Sequence, residues 1–171
     1  ESYLQKLDKP KLKGRNGLIF IGSFHHTPNE DGMLWFMESI YPLIEEKIPG
    51  CHVYIVGSHP SEAVDALASE NVTVTGWVSE QELAKLYEES RVAIIPLRYG
   101  AGVKGKLLEA MAHQVPIVTT SIGSEGYPKI QKYIDVADKE ADFAACVVRY
   151  LQDDKYWQRK ADDLLYYVKD N

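Results

Sequence analysis

Short apolar runs alternate with amphipathic segments along most of this sequence. The runs are rich in valine and isoleucine and nearly free of charge, which is typical of strands buried on both faces. Strands separated by helical segments favour a parallel sheet with right-handed crossovers and helices on both faces. The sequence therefore predicts an α/β fold with a doubly wound, mostly parallel sheet of about six strands. The predicted strands are 17–22, 52–57, 71–78, 91–97, 115–119 and a weaker sixth at 130–136.

Helix boundaries are predicted from apolar spacing and capping residues. Asn29 or Asp31 is expected to cap the first helix, whose apolar residues repeat at three- and four-residue intervals, and Pro42 is expected to interrupt it. Ser79, followed three residues later by Glu82, predicts a capping box. Further helices are predicted over 60–68, 138–151 and 153–168.

Bulk composition narrows the class of protein. The 171 residues are 45% hydrophobic and 26% charged, which suits one globular domain, predicted over 17–171 after a linker or incomplete first element at 1–16. The net charge of -6 argues against a general nucleic-acid or membrane-surface binder. Cys51 and Cys146 have no metal-like spacing and are interpreted as reduced thiols of a cytosolic protein. The sequence begins at Glu1 rather than methionine, so we expect a piece of a longer chain.

The stretch at 98–113 reads RYGAGVKGKLLEAMAH and follows the predicted strand 91–97. Its glycines lead directly into a helical pattern, and the start of a helix presents unpaired N–H groups and the positive end of the helix dipole. Lys104 and Lys106 fall in or beside the first turn, where positive charge is unfavourable unless a bound anion offsets it. This order of strand, glycine loop and helix predicts a phosphate-binding site.

Two familiar nucleotide motifs match this stretch only in part. Gly100, Gly102 and Gly105 fit G-x-G-x-x-G, and the pattern that begins at Gly100 also fits the first part of a P-loop. A P-loop needs a hydroxyl where Leu107 stands. A dinucleotide fingerprint follows the first strand, whereas this one follows the fourth, and Glu125 lies in a loop rather than at a strand end. Both readings are therefore disfavoured.

A larger set of motifs covers the region from about residue 17 to 157. In order they read IGSFHHTPNEDGMLWF, HVYIVGS, VTGWVS, VAIIPLRYGAGVKGKLLEAMAHQVPIVTTSIGSEGY and DFAACVVRYLQDDKYW. Together they resemble the C-terminal donor domain of GT-B glycosyltransferases, and most closely family 4, the group 1 glycosyltransferases. The resemblance implies a Rossmann-like half of a GT-B fold, retaining transfer from a nucleotide-diphosphate sugar, and an N-terminal acceptor domain outside these residues.

The resemblance also assigns roles to residues of the glycine-rich stretch. The second glutamate of the family's E-x7-E motif matches Glu109, which would hydrogen-bond the nucleotide ribose, whereas the first falls on Ala101 and removes a donor-sugar contact. The segment 102–106 would hold the leaving diphosphate. Family members often carry an arginine directly after the glycine of the first strand, where this sequence has Ser23. Lys104, Lys106 or Arg98 is expected to compensate, and the sequence leaves that choice open.

The nucleotide base is expected beside Trp77 or Val78, although Trp77 fits a core or rim position equally well. Likewise Lys106 and Glu109 could form a plain helix ion pair. No catalytic residue is assigned beyond support from the two lysines. The complete predicted donor-nucleotide site is Gly22, Ser23, Trp77, Val78, Arg98, Gly100, Ala101, Gly102, Val103, Lys104, Lys106 and Glu109.

Cofactors and partners follow from the same resemblance. No cofactor or metal is expected, because His25 and His26 lack companion ligands at convincing spacing. The expected partners are a UDP- or GDP-linked sugar and the chain's own N-terminal domain, with no nucleic acid and no membrane-spanning segment. A cytoplasmic protein is expected, and peripheral association of the whole enzyme with the inner face of the membrane stays open. The alternatives are a nucleotide-binding or assembly module without catalysis, and an NAD-dependent oxidoreductase domain.

Overall fold

A computed structural model describes residues 10–170, so residues 1–9 of the predicted linker and Asn171 lie outside the described residues. It contains one six-stranded sheet in the order β3-β2-β1-β4-β5-β6, with every neighbouring pair parallel. The predicted doubly wound α/β fold is confirmed. The strands are β1 (Leu18–Ile21), β2 (Val53–Val56), β3 (Val72–Gly76), β4 (Val92–Ile95), β5 (Ile117–Thr119) and β6 (Asp135–Val136).

Helices connect the strands and cover both faces of the sheet. None of the helices within residues 10–170 is long and apolar enough to cross a membrane. Their bounds are α1 (Thr27–Trp35), α2 (Tyr41–Lys47), α3 (Glu62–Asp65), α4 (Glu80–Glu89), α5 (Gly105–Ala112), α6 (Glu140–Gln152) and α7 (Asp154–Asp170), with a π-helical turn (Phe36–Ile40) between α1 and α2 and a 3-10 turn (Ile130–Lys132) before β6.

Alternate side chains of each strand enter two separate cores. Leu18 and Phe20 of β1 pack in the core beneath α1, α2 and α6, whereas Ile19 packs in the core beneath α4 and α5. Burial on both faces explains why the strands are continuous apolar runs rather than alternating ones. Strand order reverses between β1 and β4, and ligands of such sheets bind beyond the carboxyl ends of the strands at that point.

Three predicted boundaries are wrong. Helix α1 begins at Thr27 with His26 as N-cap and Pro28 in its first turn, so neither Asn29 nor Asp31 caps it. The predicted sixth strand is a 3-10 turn followed by only two paired residues, and the turn is preceded by Lys129 in the left-handed region at φ 59°. Helix α3 covers far less than 60–68 and is capped by the Ser61 side chain.

Two other local predictions agree with the structure. The Ser79 side chain accepts from the Glu82 N–H, and the Glu82 side chain accepts from the Ser79 N–H, so the capping box at the start of α4 is confirmed. The first long helix is interrupted as expected, although the interruption is the π-helical turn that precedes Pro42. Proline is accommodated there because the first turn of a helix needs no N–H from it.

Candidate functional site

A cavity of about 450 Å³ lies at the carboxyl edge of the sheet, between the loop that follows β1 and the loop that follows β4. This is the reversal point of the strand order, so the cavity occupies the place where the topology predicts a ligand. The first turn of α1 forms one wall, and the glycine-rich loop with the start of α5 forms the other. The lining residues are His26, Pro28, Asn29, Leu97, Gly100, Ala101, Val103, Lys104, Gly105 and Lys106.

Two helix N-termini point to this cavity without side-chain caps. The N-cap of α1 is His26 and that of α5 is Lys104, and neither side chain accepts a hydrogen bond from its helix. By contrast, Ser61 and Ser79 cap α3 and α4. The first N–H groups of a helix have no intrahelical partner, and the helix dipole adds partial positive charge there. Both walls of the cavity therefore favour an anion.

Lys106 is the cation at the base of this cavity. Its Nζ donates to Oδ1 of Asn29 and lies 4.6 Å from the centroid of the Phe20 ring. Burial, and to a smaller extent the neighbouring Lys104, lower the pKa of Lys106 to about 8, although Glu109 acts in the opposite direction. At neutral pH the ammonium is charged but poorly solvated, which is the condition in which an anionic ligand is bound strongly.

Gly22 at the end of β1 makes room for this arrangement. A Cβ built on Gly22 would lie 2.6 Å from Nδ2 of Asn29 and 2.9 Å from Nζ of Lys106. Asn29 is only 6% exposed, and its Nδ2 donates to the carbonyl oxygen of Ser23 at 2.8 Å. The predicted site residues Gly22 and Ser23 thus support Lys106 through Asn29.

The Lys104 side chain turns back onto the backbone of the glycine-rich loop. Its Nζ donates to the carbonyl oxygens of Gly100, at 3.2 Å, and of Gly102. Both glycines have positive φ, 118° and 88°, a conformation that other residues rarely adopt. The Lys104 carbonyl oxygen in turn accepts from the Tyr127 hydroxyl at 2.7 Å, so the loop that follows β5 contacts the glycine-rich loop.

Arg98 is engaged on the far side of the same loop. Its Nε donates to Oδ2 of Asp31 at 2.9 Å, and its guanidinium lies 5.5 Å from the centroid of the Trp35 ring. It borders a separate hollow of about 300 Å³. Of the three residues expected to compensate for the missing arginine, Lys106 is the one whose charged atom lies beside Gly22.

The remaining predicted residues lie outside the cavity lining. Trp77 follows β3 and is 75% exposed, so the core alternative for it is wrong. Val78 packs against the core beneath α4 and α5. Glu109 lies on α5 one turn after Lys106; burial raises the pKa of its carboxyl, and Lys106 opposes that rise. Within residues 10–170 the two do not form an ion pair, because Lys106 turns to Asn29 instead.

Sequence reasoning missed the α1 wall of the cavity. His26, Pro28 and Asn29 are absent from the predicted donor-nucleotide site, whereas all three line the cavity. The signal in the sequence was a Pro-Asn pair shortly after the glycine that ends the first strand. A proline in the first helical turn indicates that the helix starts there, which would have placed Asn29 inside the helix.

The fold and the position of the cavity define the chain as one half of a GT-B glycosyltransferase fold. The chain belongs to the glycosyl transferases group 1 family, whose sequence profile matches residues 15–153. The predicted resemblance is confirmed.

Individual relatives are similar over nearly the whole chain. An uncharacterized 44.6 kDa protein in the cps region of Klebsiella pneumoniae is 26% identical over 174 residues, which cover 97% of this chain and 45% of that protein. WaaG, a glycosyltransferase involved in lipopolysaccharide biosynthesis, superposes with a TM-score of 0.70 and 18% identity over 99% of this chain and 46% of its own. TarM of S. aureus, in a complex that includes UDP, superposes with a TM-score of 0.76 and 16% identity over 96% of this chain and 34% of its own. The chain therefore spans less than half of each relative.

Proposed function

We propose that this chain binds the nucleotide-diphosphate sugar donor of a retaining glycosyltransferase. The observation that carries the proposal is the convergence of two uncapped helix N-termini and the Lys106 ammonium on one cavity at the reversal point of the sheet. Each of these features attracts a phosphate, and together they suit a diphosphate better than a neutral ligand.

The proposed chemical task is stabilisation of the leaving group. Negative charge gathers on the diphosphate as the glycosidic bond breaks, and donors already aimed at that charge lower the barrier. Lys106 and the first N–H groups of α5 would contact the phosphates, while Lys104 keeps the loop folded. The proposal invokes no metal and no cofactor, because the positive charge comes from the chain itself.

The rest of the donor would lie along the same edge of the sheet. Glu109 is proposed to accept hydrogen bonds from the ribose hydroxyls, and the exposed Trp77 with Val78 would contact the base. Ala101 lines the cavity where the family carries a carboxylate, so one donor-sugar contact is absent. UDP is the first nucleotide to test, since UDP is present in the TarM complex.

The acceptor is proposed to bind a separate N-terminal domain, since each relative is more than twice as long as the matched region. We expect the isolated chain to bind nucleotide weakly and to transfer little or no sugar. The whole enzyme is proposed to act on the cytoplasmic side, with contact to the inner face of the membrane as one arrangement.

Isothermal titration calorimetry with UDP, GDP and ADP tests the proposal directly. Binding of at least one diphosphate is expected, whereas a folded chain that binds none of them would contradict it. The Lys104→Ala and Lys106→Ala double variant should lose affinity for UDP by about thirtyfold and for uridine hardly at all, because only UDP carries the diphosphate. Lys85→Ala is the matched control, since Lys85 is an exposed lysine on α4.

A second candidate is a nucleotide-binding or assembly module without catalysis. Ala101 favours it, because the loss of a donor-sugar contact would weaken transfer more than nucleotide binding. Nucleotide binding without sugar transfer, measured on a chain that includes the acceptor domain, would select this second candidate.

A further inference from the structure

Asn29 makes two hydrogen bonds that leave its amide only one orientation. The carbonyl oxygen of Ser23 can only accept, so it meets Nδ2, and the ammonium of Lys106 can only donate, so it meets Oδ1. A side chain at this position must therefore donate at one end and accept at the other. Asn29 is also buried, which makes an unpaired amide atom there costly.

Lys106 needs such a partner because a lysine side chain is long and flexible. Without it, the ammonium would regain solvent by swinging out of the cavity, since burial of an unpaired charge is unfavourable. The other groups facing Nζ offer weaker support. Phe20 presents its ring, and Gly22 presents no side chain. The charged Lys104 lowers the pKa of Lys106, and Glu109 opposes this from beyond ion-pair distance.

We propose that Asn29 is a positioning residue that holds the Lys106 ammonium beside the carboxyl end of β1, where it meets the diphosphate. This inference rests on the proposed function for its role in binding, but the contact itself can be tested separately. Asn29 connects the loop after β1 to the start of α5, so the loop after β1 contributes to phosphate binding without the arginine that the family often has there.

A double-mutant cycle tests the inference. UDP and uridine affinities are measured by calorimetry for the chain and for its Asn29→Ala, Lys106→Ala and combined variants. We expect Asn29→Ala to weaken UDP binding about tenfold with uridine binding unchanged, and to have no further effect once Lys106 is alanine. Asn16→Ala is the matched control, because Asn16 is exposed and precedes β1 at the opposite edge of the sheet.

A second outcome of the double-mutant cycle would contradict the inference. If Asn29→Ala weakens UDP binding by the same factor with and without Lys106, Asn29 acts only through the Ser23 loop and the inference is overturned. Melting temperatures of all variants show whether each is folded. Asn29→Leu, which keeps the size of the side chain but removes the Oδ1 acceptor, replaces the alanine if that variant unfolds.

A second measurement does not depend on nucleotide binding. Competitive acylation followed by peptide mass spectrometry gives the pH at which the Lys106 amine loses its proton. Asn29→Asp places a carboxylate against the ammonium and should raise that pH by about one unit or more, whatever the contributions of Lys104, Glu109 and His26 around the cavity. Unchanged titration in both Asn29 variants would overturn the inference, whereas failure of the unmodified chain to bind any of UDP, GDP and ADP would overturn only the proposed function.

Discussion

Lys106 and Lys160 are both shielded from solvent, and they are paired in different ways. Lys160 on α7 is 8% exposed, and its Nζ lies 3.4 Å from Oδ1 of Asp135, whose carboxylate also accepts from the Tyr156 hydroxyl. Lys106 donates to a neutral amide, and no carboxylate oxygen within residues 10–170 lies within 4.0 Å of its Nζ.

The difference separates a structural charge from one that is available to a ligand. The charge of Lys160 is neutralised within the fold, so it ties α7 to the start of β6 and has little left to offer an anion. The charge of Lys106 is solvated only by the Asn29 amide and the Phe20 ring, so its desolvation destabilises the fold. A phosphate that binds there can offset this unfavourable free energy. The three predictions below test this contrast.

The largest expected effect is on stability at the neutralised pair. Lys160→Met should lower the free energy of unfolding by about 3 kcal/mol, because it leaves the poorly exposed Asp135 carboxylate without its counter-charge. Urea denaturation at pH 7 measures this, with Lys155→Met, an exposed lysine of the same helix, as control. A loss no greater than that of the control would show that the pair is not structural.

At the cavity, removal of the lysine is expected to stabilise the fold rather than destabilise it. Lys106→Met should raise the free energy of unfolding by about 1 kcal/mol at pH 7, since it removes a charge that the fold solvates poorly. The pKa of Lys106 is about 8 in the fold and near its ordinary 10.5 when unfolded, so the unfolded state binds more protons between these values. The original chain therefore gains stability as pH rises through this window, and the advantage of the variant should disappear.

Denaturation of both proteins at pH 7 and at pH 10 checks this second prediction. A Lys106→Met variant that is less stable than the original at pH 7 would contradict the idea that the ammonium is held there at a cost. Lys85→Met serves as the control for removal of an exposed lysine.

The smallest expected effect is the pH dependence of UDP affinity. Affinity should fall about twofold between pH 7 and pH 8 and more steeply above, because a neutral Lys106 no longer attracts the diphosphate. The fall should be absent in Lys106→Met and should move to higher pH in Lys104→Ala, because Lys104 lowers the pKa of Lys106. Calorimetry across this range measures it, and an identical pH profile in all three proteins would exclude Lys106 as its source.

Much of the fold could be predicted because its signals are local. Each strand is a continuous apolar run, and the capping box at Ser79 depends on residues three apart. Loops that follow parallel strands must share one edge, so the approximate place of the site also followed from the order of the elements.

The details of the site depend on contacts between distant parts of the chain. Asn29 is of a residue type that favours helix caps, but its Oδ1 accepts a hydrogen bond from Nζ of Lys106, which is 77 residues away in the sequence. Arg98 had the charge to contact a phosphate, but it pairs with Asp31, 67 residues away. Such pairings carry no local pattern, because they arise only when packing brings two elements together.

The sequence by itself determined the fold class, the family and the stretch around which the site is built, since hydrophobic periodicity and motif order are properties of neighbouring residues. Only the tertiary structure decided which of three cations stands beside Gly22 and which residue holds it there. The reason is steric and electrostatic. The Lys106 ammonium lies against the Phe20 ring, the Asn29 amide oxygen and the space left by Gly22, which β1, the residue after it and the first turn of α1 bring together.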